Sequence, residues 1–109
     1  MNVRLYVWQR LTAVLVLPLL LVHLVVIFYA MRKGFSAADI LGRTRGSVAW
    51  ALFYGAFVSA VAVHAPIGLR TVLMEWTRLR PRSCDLIVIG FGIVIAALGF
   101  RAVAAVVVP

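Results

Sequence analysis

A chain of 109 residues that is 65% hydrophobic and 13% charged carries more apolar surface than a soluble domain of its size hides, so its solvent is lipid. The net charge of +8 does not point to nucleic acid, because the basic residues flank apolar runs and form no single patch. They read as cationic span ends beside anionic membrane lipid.

The first element is a helix over about 5–31. It contains 21 uncharged residues between Arg10 and Arg32, more than the roughly 20 that a helix needs to cross a hydrocarbon core. Pro18 lies inside it and removes one backbone donor, which predicts a kink. The run is too long for a signal peptide, lacks a small-residue cleavage pattern and is followed by further spans. A loop, "RKGFSAADILGRTRG", comes next, and its "SAAD" predicts a short amphipathic turn. The second span, about 47–76, includes 24 uncharged residues between Arg45 and Arg70. "TRLRPRS" closes it with Pro81 as breaker, and the third span covers about 84–107. Arg101 interrupts that last span near an end, where an arginine can snorkel to the headgroups. The expected fold is an all-α integral membrane three-helix bundle, a single transmembrane domain over 1–109. The lone Cys84, placed in the charged loop, gives neither a disulfide framework nor zinc spacing.

Both histidines, His23 and His64, fall within spans. A buried histidine can simply hydrogen-bond a neighbouring helix or line a wet cavity. Ionisable groups inside membranes are costly, however, and are functional candidates by default. Neutral imidazole is also a good axial ligand for haem iron, and helix bundles build such sites from facing side chains. At about 100° per residue, His64, Gly68, Thr71 and Glu75 share one face of the second span. A glycine one turn from a ligand leaves space for a porphyrin edge. Thr12 and Val16 share the face of His23. Small residues on one face equally suit plain helix contacts. Counting from Arg10 and Arg70 as one membrane boundary, the histidines differ in height by roughly 10 Å. Two ligands of one haem lie nearly level, so if both bind iron, each serves a different haem and a partner chain supplies the opposite ligand.

Two segments, "QRLTAVLVLPLLLVH" and "HAPIGLRTVLMEW", resemble the first- and second-helix patterns of the membrane-anchor cytochrome b subunits of succinate dehydrogenases and fumarate reductases. The second pattern is His-x-x-x-Gly-Ile/Leu-Arg with an acidic residue eleven after the histidine, and with the three-span layout the resemblance covers most of the chain. It implies His64 as the shared second-helix haem ligand. His23, thirteen residues after Arg10, matches the extra first-helix ligand of two-haem forms, and "TRLRPRS" looks like the corresponding loop of a fused two-haem anchor. Ala13 replaces the commoner glycine of the first pattern.

The resemblance therefore implies a two-haem anchor divided between two small chains, with b-type haem as cofactor and quinone as substrate. Gly68 makes room for the ring, and Arg70 neutralises a propionate or serves only as an interfacial anchor. Arg10 contacts a propionate or quinone, or only snorkels. Glu75 and Trp76 stand where single-haem relatives carry quinone-pocket residues, although an ordinary interfacial anchor set reads the same. Implied partners are a second small anchor subunit, an iron–sulfur subunit and a flavoprotein that carries the dicarboxylate chemistry. The chain has no flavin or nucleotide fingerprint and no cysteine cluster of its own. The implied location is a bacterial or archaeal cytoplasmic membrane, with the N-terminus and Arg78–Arg82 cytoplasmic. Charge does not decide this, with six basic residues on one side and five on the other. The alternatives are a haem-free structural anchor and a small multidrug-type transporter, the latter needing a fourth span and an acidic residue in the first.

Overall fold

The fold is seen in a computed structural model that describes residues 3–109. Four helices follow one another: α1 (Val3–Lys33), α2 (Ala37–Thr44), α3 (Val48–Trp76) and α4 (Pro81–Val107). Three of them, of 31, 29 and 27 residues, are long and apolar enough to cross a membrane. At 1.5 Å per residue each reaches about 40–46 Å, beyond the roughly 30 Å hydrocarbon layer. The all-α, three-span architecture expected from the sequence is the one observed, with each span end within three residues of its expected position.

α3 is the central element, packed against α1 on one side and α4 on the other. Little of the chain is hidden. Among the described residues the buried set is Thr12, Ala30, Thr44, Ala60, Cys84 and Val88, whereas large side chains such as Leu17, Leu52, Leu86 and Ile93 point outward. Such a surface needs lipid or other helices around it.

Glycines set how closely α4 approaches α3. A Cβ on Gly92 would lie 2.9 Å from Pro66 Cγ, and one on Gly99 would lie 2.6 Å from Val58 Cγ1. Pro66, inside α3, has no amide to give the Ala62 carbonyl, and Gly92 sits against that carbonyl and the proline ring. Two absent side chains thus fix the α3–α4 register.

The expected amphipathic turn is a full helix, α2. Ser36 caps it, accepting from the Asp39 amide at 3.1 Å, while Asp39 accepts from the Ser36 amide at 3.3 Å in a reciprocal capping box. Gly34 and Gly46, at φ +149° and +74°, flank it in backbone conformations that favour glycine. Thr44 donates to the Val106 carbonyl at 2.6 Å and the Gly46 amide donates to the Val107 carbonyl at 2.7 Å. α2 is therefore pinned to the far end of α4 and closes that end of the bundle.

Two details of the second connection differ from expectation. Pro81 starts α4 at its first helical position, where a missing amide costs nothing, rather than only breaking α3. Cys84 lies in the first turn of α4 and is fully buried, not in the charged loop.

Candidate functional site

The α1–α3 seam carries both histidines. On α1, residues 12 and 23 are eleven apart, which at 100° per residue returns them to nearly the same face, and that face meets α3. At the lower level the Thr12 hydroxyl lies 3.2 Å from His64 Nδ1. Thr12 Oγ1 also reaches the Trp8 carbonyl at 2.7 Å and the Gln9 carbonyl at 3.1 Å. One turn along α3, the direction of a Cβ on Gly68 is filled by Gln9 Nε2, 3.2 Å away. The shared face read from the sequence thus turns toward α1, and the space beside Gly68 holds the Gln9 amide within this chain. Thr71, on the same face, returns its hydroxyl to the Ile67 carbonyl.

His23 stands higher on the same seam. Its ring meets Tyr54 edge-on at 6.0 Å and Phe57 at a tilt, 5.3 Å between centroids. Two clefts open at it. One, of about 400 Å³, runs toward Tyr29, Phe35, Arg43 and Trp50. The other, of about 340 Å³, runs between α3 and α4 past Val58, Gly99 and Val103. Arg43 sits over the Tyr29 ring at 5.5 Å and donates to the Gly34 carbonyl at 2.9 Å, so it is held at the cleft edge by α2. Among the described residues, two buried side-chain polar atoms lack any partner: His23 Nδ1 and Gln9 Oε1. Both belong to this seam. Unpaired buried polar atoms call for an explanation, such as an absent ligand, ion or water.

The levels are further apart than the arginine count indicates. Thr12 is level with His64, and His23 is eleven residues beyond Thr12, about 16 Å along α1. From His64 to the Phe57 and Tyr54 that hold His23, α3 rises about 10 to 15 Å. The arginine count falls short because Arg10 and Arg70 are not level. Position 10 aligns with about position 66, leaving Arg70 about 6 Å nearer the membrane face.

Arg70 has a partner that the sequence did not reveal. Its Nε donates to Asp85 Oδ1 at 2.6 Å, tying α3 to α4. That bond leaves both Nη groups without a hydrogen bond among the described residues. The pair forms one wall of a cleft of about 570 Å³ that Leu5, Pro66, Val88 and Gly92 also line. Arg10 lies over the Tyr6 ring, 5.2 Å away, and is exposed, as are Glu75 and Trp76 at the end of α3. The structure does not bring Glu75 and Trp76 to the histidines. Among the described residues no three His, Cys, Asp or Glu side chains converge to hold a metal ion.

A family model described as the succinate dehydrogenase/fumarate reductase transmembrane subunit matches residues 1–100. The chain belongs to that family. No curated protein and no solved structure matches it significantly. As a transmembrane subunit of a succinate dehydrogenase or fumarate reductase, the chain is a multi-pass integral membrane protein that works in a complex with other subunits. The transporter alternative required a fourth span, and the described residues contain three.

Proposed function

We propose that this transmembrane subunit is half of a two-haem anchor that passes electrons between an iron–sulfur subunit and membrane quinone. The carrying observation is the pair of intramembrane histidines on one helix seam at levels about 10 to 16 Å apart. That spacing suits two single axial ligands at two heights and does not suit two ligands of one iron.

Each level offers an imidazole nitrogen for haem iron. His64 keeps Nε2 free of any hydrogen bond among the described residues while Nδ1 is engaged, as an axial ligand with an outer hydrogen bond requires. His23 has a buried unpaired nitrogen and two adjoining clefts. When bound, b-type haem supplies one-electron transfer within the membrane. The chain's own part is to present His64 for the proximal group and His23 for the distal one, and to exclude water with Tyr54, Phe57 and Trp50. Arg70, oriented by Asp85, keeps its Nη groups for a propionate, and Arg10 has the reach for a propionate or a quinone at the same end. Glu75 and Trp76 extend from α3 toward a quinone headgroup or the iron–sulfur subunit.

A second small anchor subunit supplies the opposite ligands, and a flavoprotein performs the succinate or fumarate chemistry, for which this chain has no residues. The complex lies in a bacterial or archaeal cytoplasmic membrane. A haem-free anchor remains the competing reading, and the Thr12–His64 hydrogen bond favours it to the extent that it satisfies one imidazole nitrogen without iron. A pyridine haemochrome assay on the purified complex separates the two. Two haems per anchor are expected; none ends the cytochrome reading, and one removes His23 from the ligands.

A further inference from the structure

We infer that Thr12 is a positioning residue for His64, accepting the Nδ1 proton so that Nε2 is the nitrogen with a bare lone pair. The inference rests on the haem reading above and adds a residue to it.

A threonine hydroxyl has one proton and two lone pairs. Around Thr12 Oγ1 lie the Trp8 carbonyl at 2.7 Å, the Gln9 carbonyl at 3.1 Å and His64 Nδ1 at 3.2 Å. The carbonyls can only accept, and the Trp8 distance is that of a well-formed O–H···O bond. The hydroxyl proton therefore goes back to the helix carbonyl four residues earlier, a habit of threonine in helices. Its lone pair is left facing His64. The Nδ1 contact is attractive only if the imidazole carries a proton on Nδ1, which in the neutral ring leaves Nε2 unprotonated.

The placement is also rigid. Thr12 is 4% exposed, its hydroxyl is tied to its own helix, and no other described side chain bonds the His64 ring. A hydrogen bond from the far nitrogen raises the basicity of a ligating imidazole and fixes its orientation. Greater basicity favours the ferric over the ferrous state, so Thr12 lowers the potential of the His64 haem.

The test is a redox titration, with low-temperature EPR of the ferric haems, on the purified complex carrying Thr12→Val, Thr12→Ser or His64→Ala. Valine keeps the shape and removes the acceptor; serine keeps the acceptor. Thr12→Val is expected to shift upward the midpoint of the one haem that His64→Ala removes and to change its EPR g-values, with the other haem unmoved. Thr12→Ser is expected to stay near wild type. Loss of that haem in Thr12→Val with retention in Thr12→Ser supports the same conclusion. An unshifted midpoint and spectrum in Thr12→Val, or a serine variant that behaves like valine, overturns it. If His64→Ala leaves every haem in place, the ligand reading itself has failed, a result distinct from a silent Thr12→Val.

Discussion

Arg70 and Asp85 form a 2.6 Å ion pair that joins the end of α3 to the start of α4. Their side chains are 22% and 50% exposed, and the two residues bound the uncharged runs of α3 and α4, which puts the pair at the edge of the apolar layer, where headgroups and water screen it. Its worth to stability is therefore modest, about 1 kcal/mol or less. Its effect on Arg70 is to hold the guanidinium in one place. A double-mutant cycle with Arg70→Gln and Asp85→Asn, read by thermal denaturation of the complex, is expected to give a coupling energy of that size. A coupling several times larger would show that partner subunits bury the pair and that it carries part of the assembly energy.

The α3–α4 contact responds to added methyl groups by position. Alanine at Gly99 or Gly92 drives a Cβ into Val58 or the Pro66 ring, neither of which swings away easily. Each substitution should cost about 1–3 kcal/mol as the helices part. Gly90, on the same helix, has nothing within 4 Å of its missing Cβ, so Gly90→Ala is the control. It should be neutral or stabilising by up to about 1 kcal/mol through helix propensity. Equal effects at positions 90, 92 and 99 would mean that glycine does not set the register.

Lipid made the fold legible in the sequence. A hydrocarbon core forces each crossing to be a long, largely uncharged run, so the first two spans could be read from the positions of Arg10, Arg32, Arg45 and Arg70 and the third from the run between Asp85 and Arg101. The capping box of α2 was half legible in "SAAD", but its docking on the Val106 carbonyl depends on where α4 ends in space. His23 and His64 stood out because ionisable groups are rare at such depths. Asp85 did not stand out, since an acidic residue near a span end is ordinary until α4 packs in register. Thr12 was visible as a neighbour of His23 on one face. Its bond to His64 depends on the offset between two antiparallel helices, which no periodicity within one helix reports.

α2 provides a pH-dependent element outside the spans. The Asp39 carboxyl accepts from the Ser36 hydroxyl at 2.6 Å and from the Ser36 amide, and these bonds hold it below its ordinary value of 3.8. The cap's contribution is thus complete above that value and is lost as pH falls through the lower folded one. Protection of the Asp39 amide against hydrogen exchange, taken relative to its intrinsic rate at each pH, is expected to fall over that acid range, and Asp39→Asn should remove the dependence. An unchanged profile in the variant would show that the acid response originates elsewhere.

Topology follows from the same packing. The start of α1, the end of α3 and the start of α4 lie at one end, since Leu5, Arg70 and Asp85 line a common cleft. α2 and the end of α4 lie at the other. If the soluble catalytic subunits dock at the first end, Arg80 is cytoplasmic and Arg45 external. Single cysteines at these positions, probed with an impermeant thiol reagent in intact cells, should label at 45 and be protected at 80. The native Cys84 is fully buried and should contribute little background. The opposite pattern would invert the anchor.

The two histidines should fail differently. His64 lies nearer the end that carries Arg70, Arg10 and Trp76, where an iron–sulfur subunit would meet the membrane. His23 lies about 16 Å deeper along α1, between Tyr54 and Phe57 and against the clefts that α2 closes. If the two histidines ligate haem as proposed, replacing either with alanine removes one axial bond and leaves a space lined by aromatic or helix-facing atoms. His23→Ala should therefore abolish or displace one haem in a redox titration while the other keeps its midpoint, and electron entry from succinate should still reduce that remaining haem. His64→Ala should take away the haem that is reduced first and, because His64 also bonds α1 through Thr12, loosen the helix seam and lower the yield of assembled complex. If His23→Ala leaves haem content and both midpoints unchanged, His23 only packs against Tyr54 and Phe57, and the chain is half of a single-haem anchor with His64 as its one ligand.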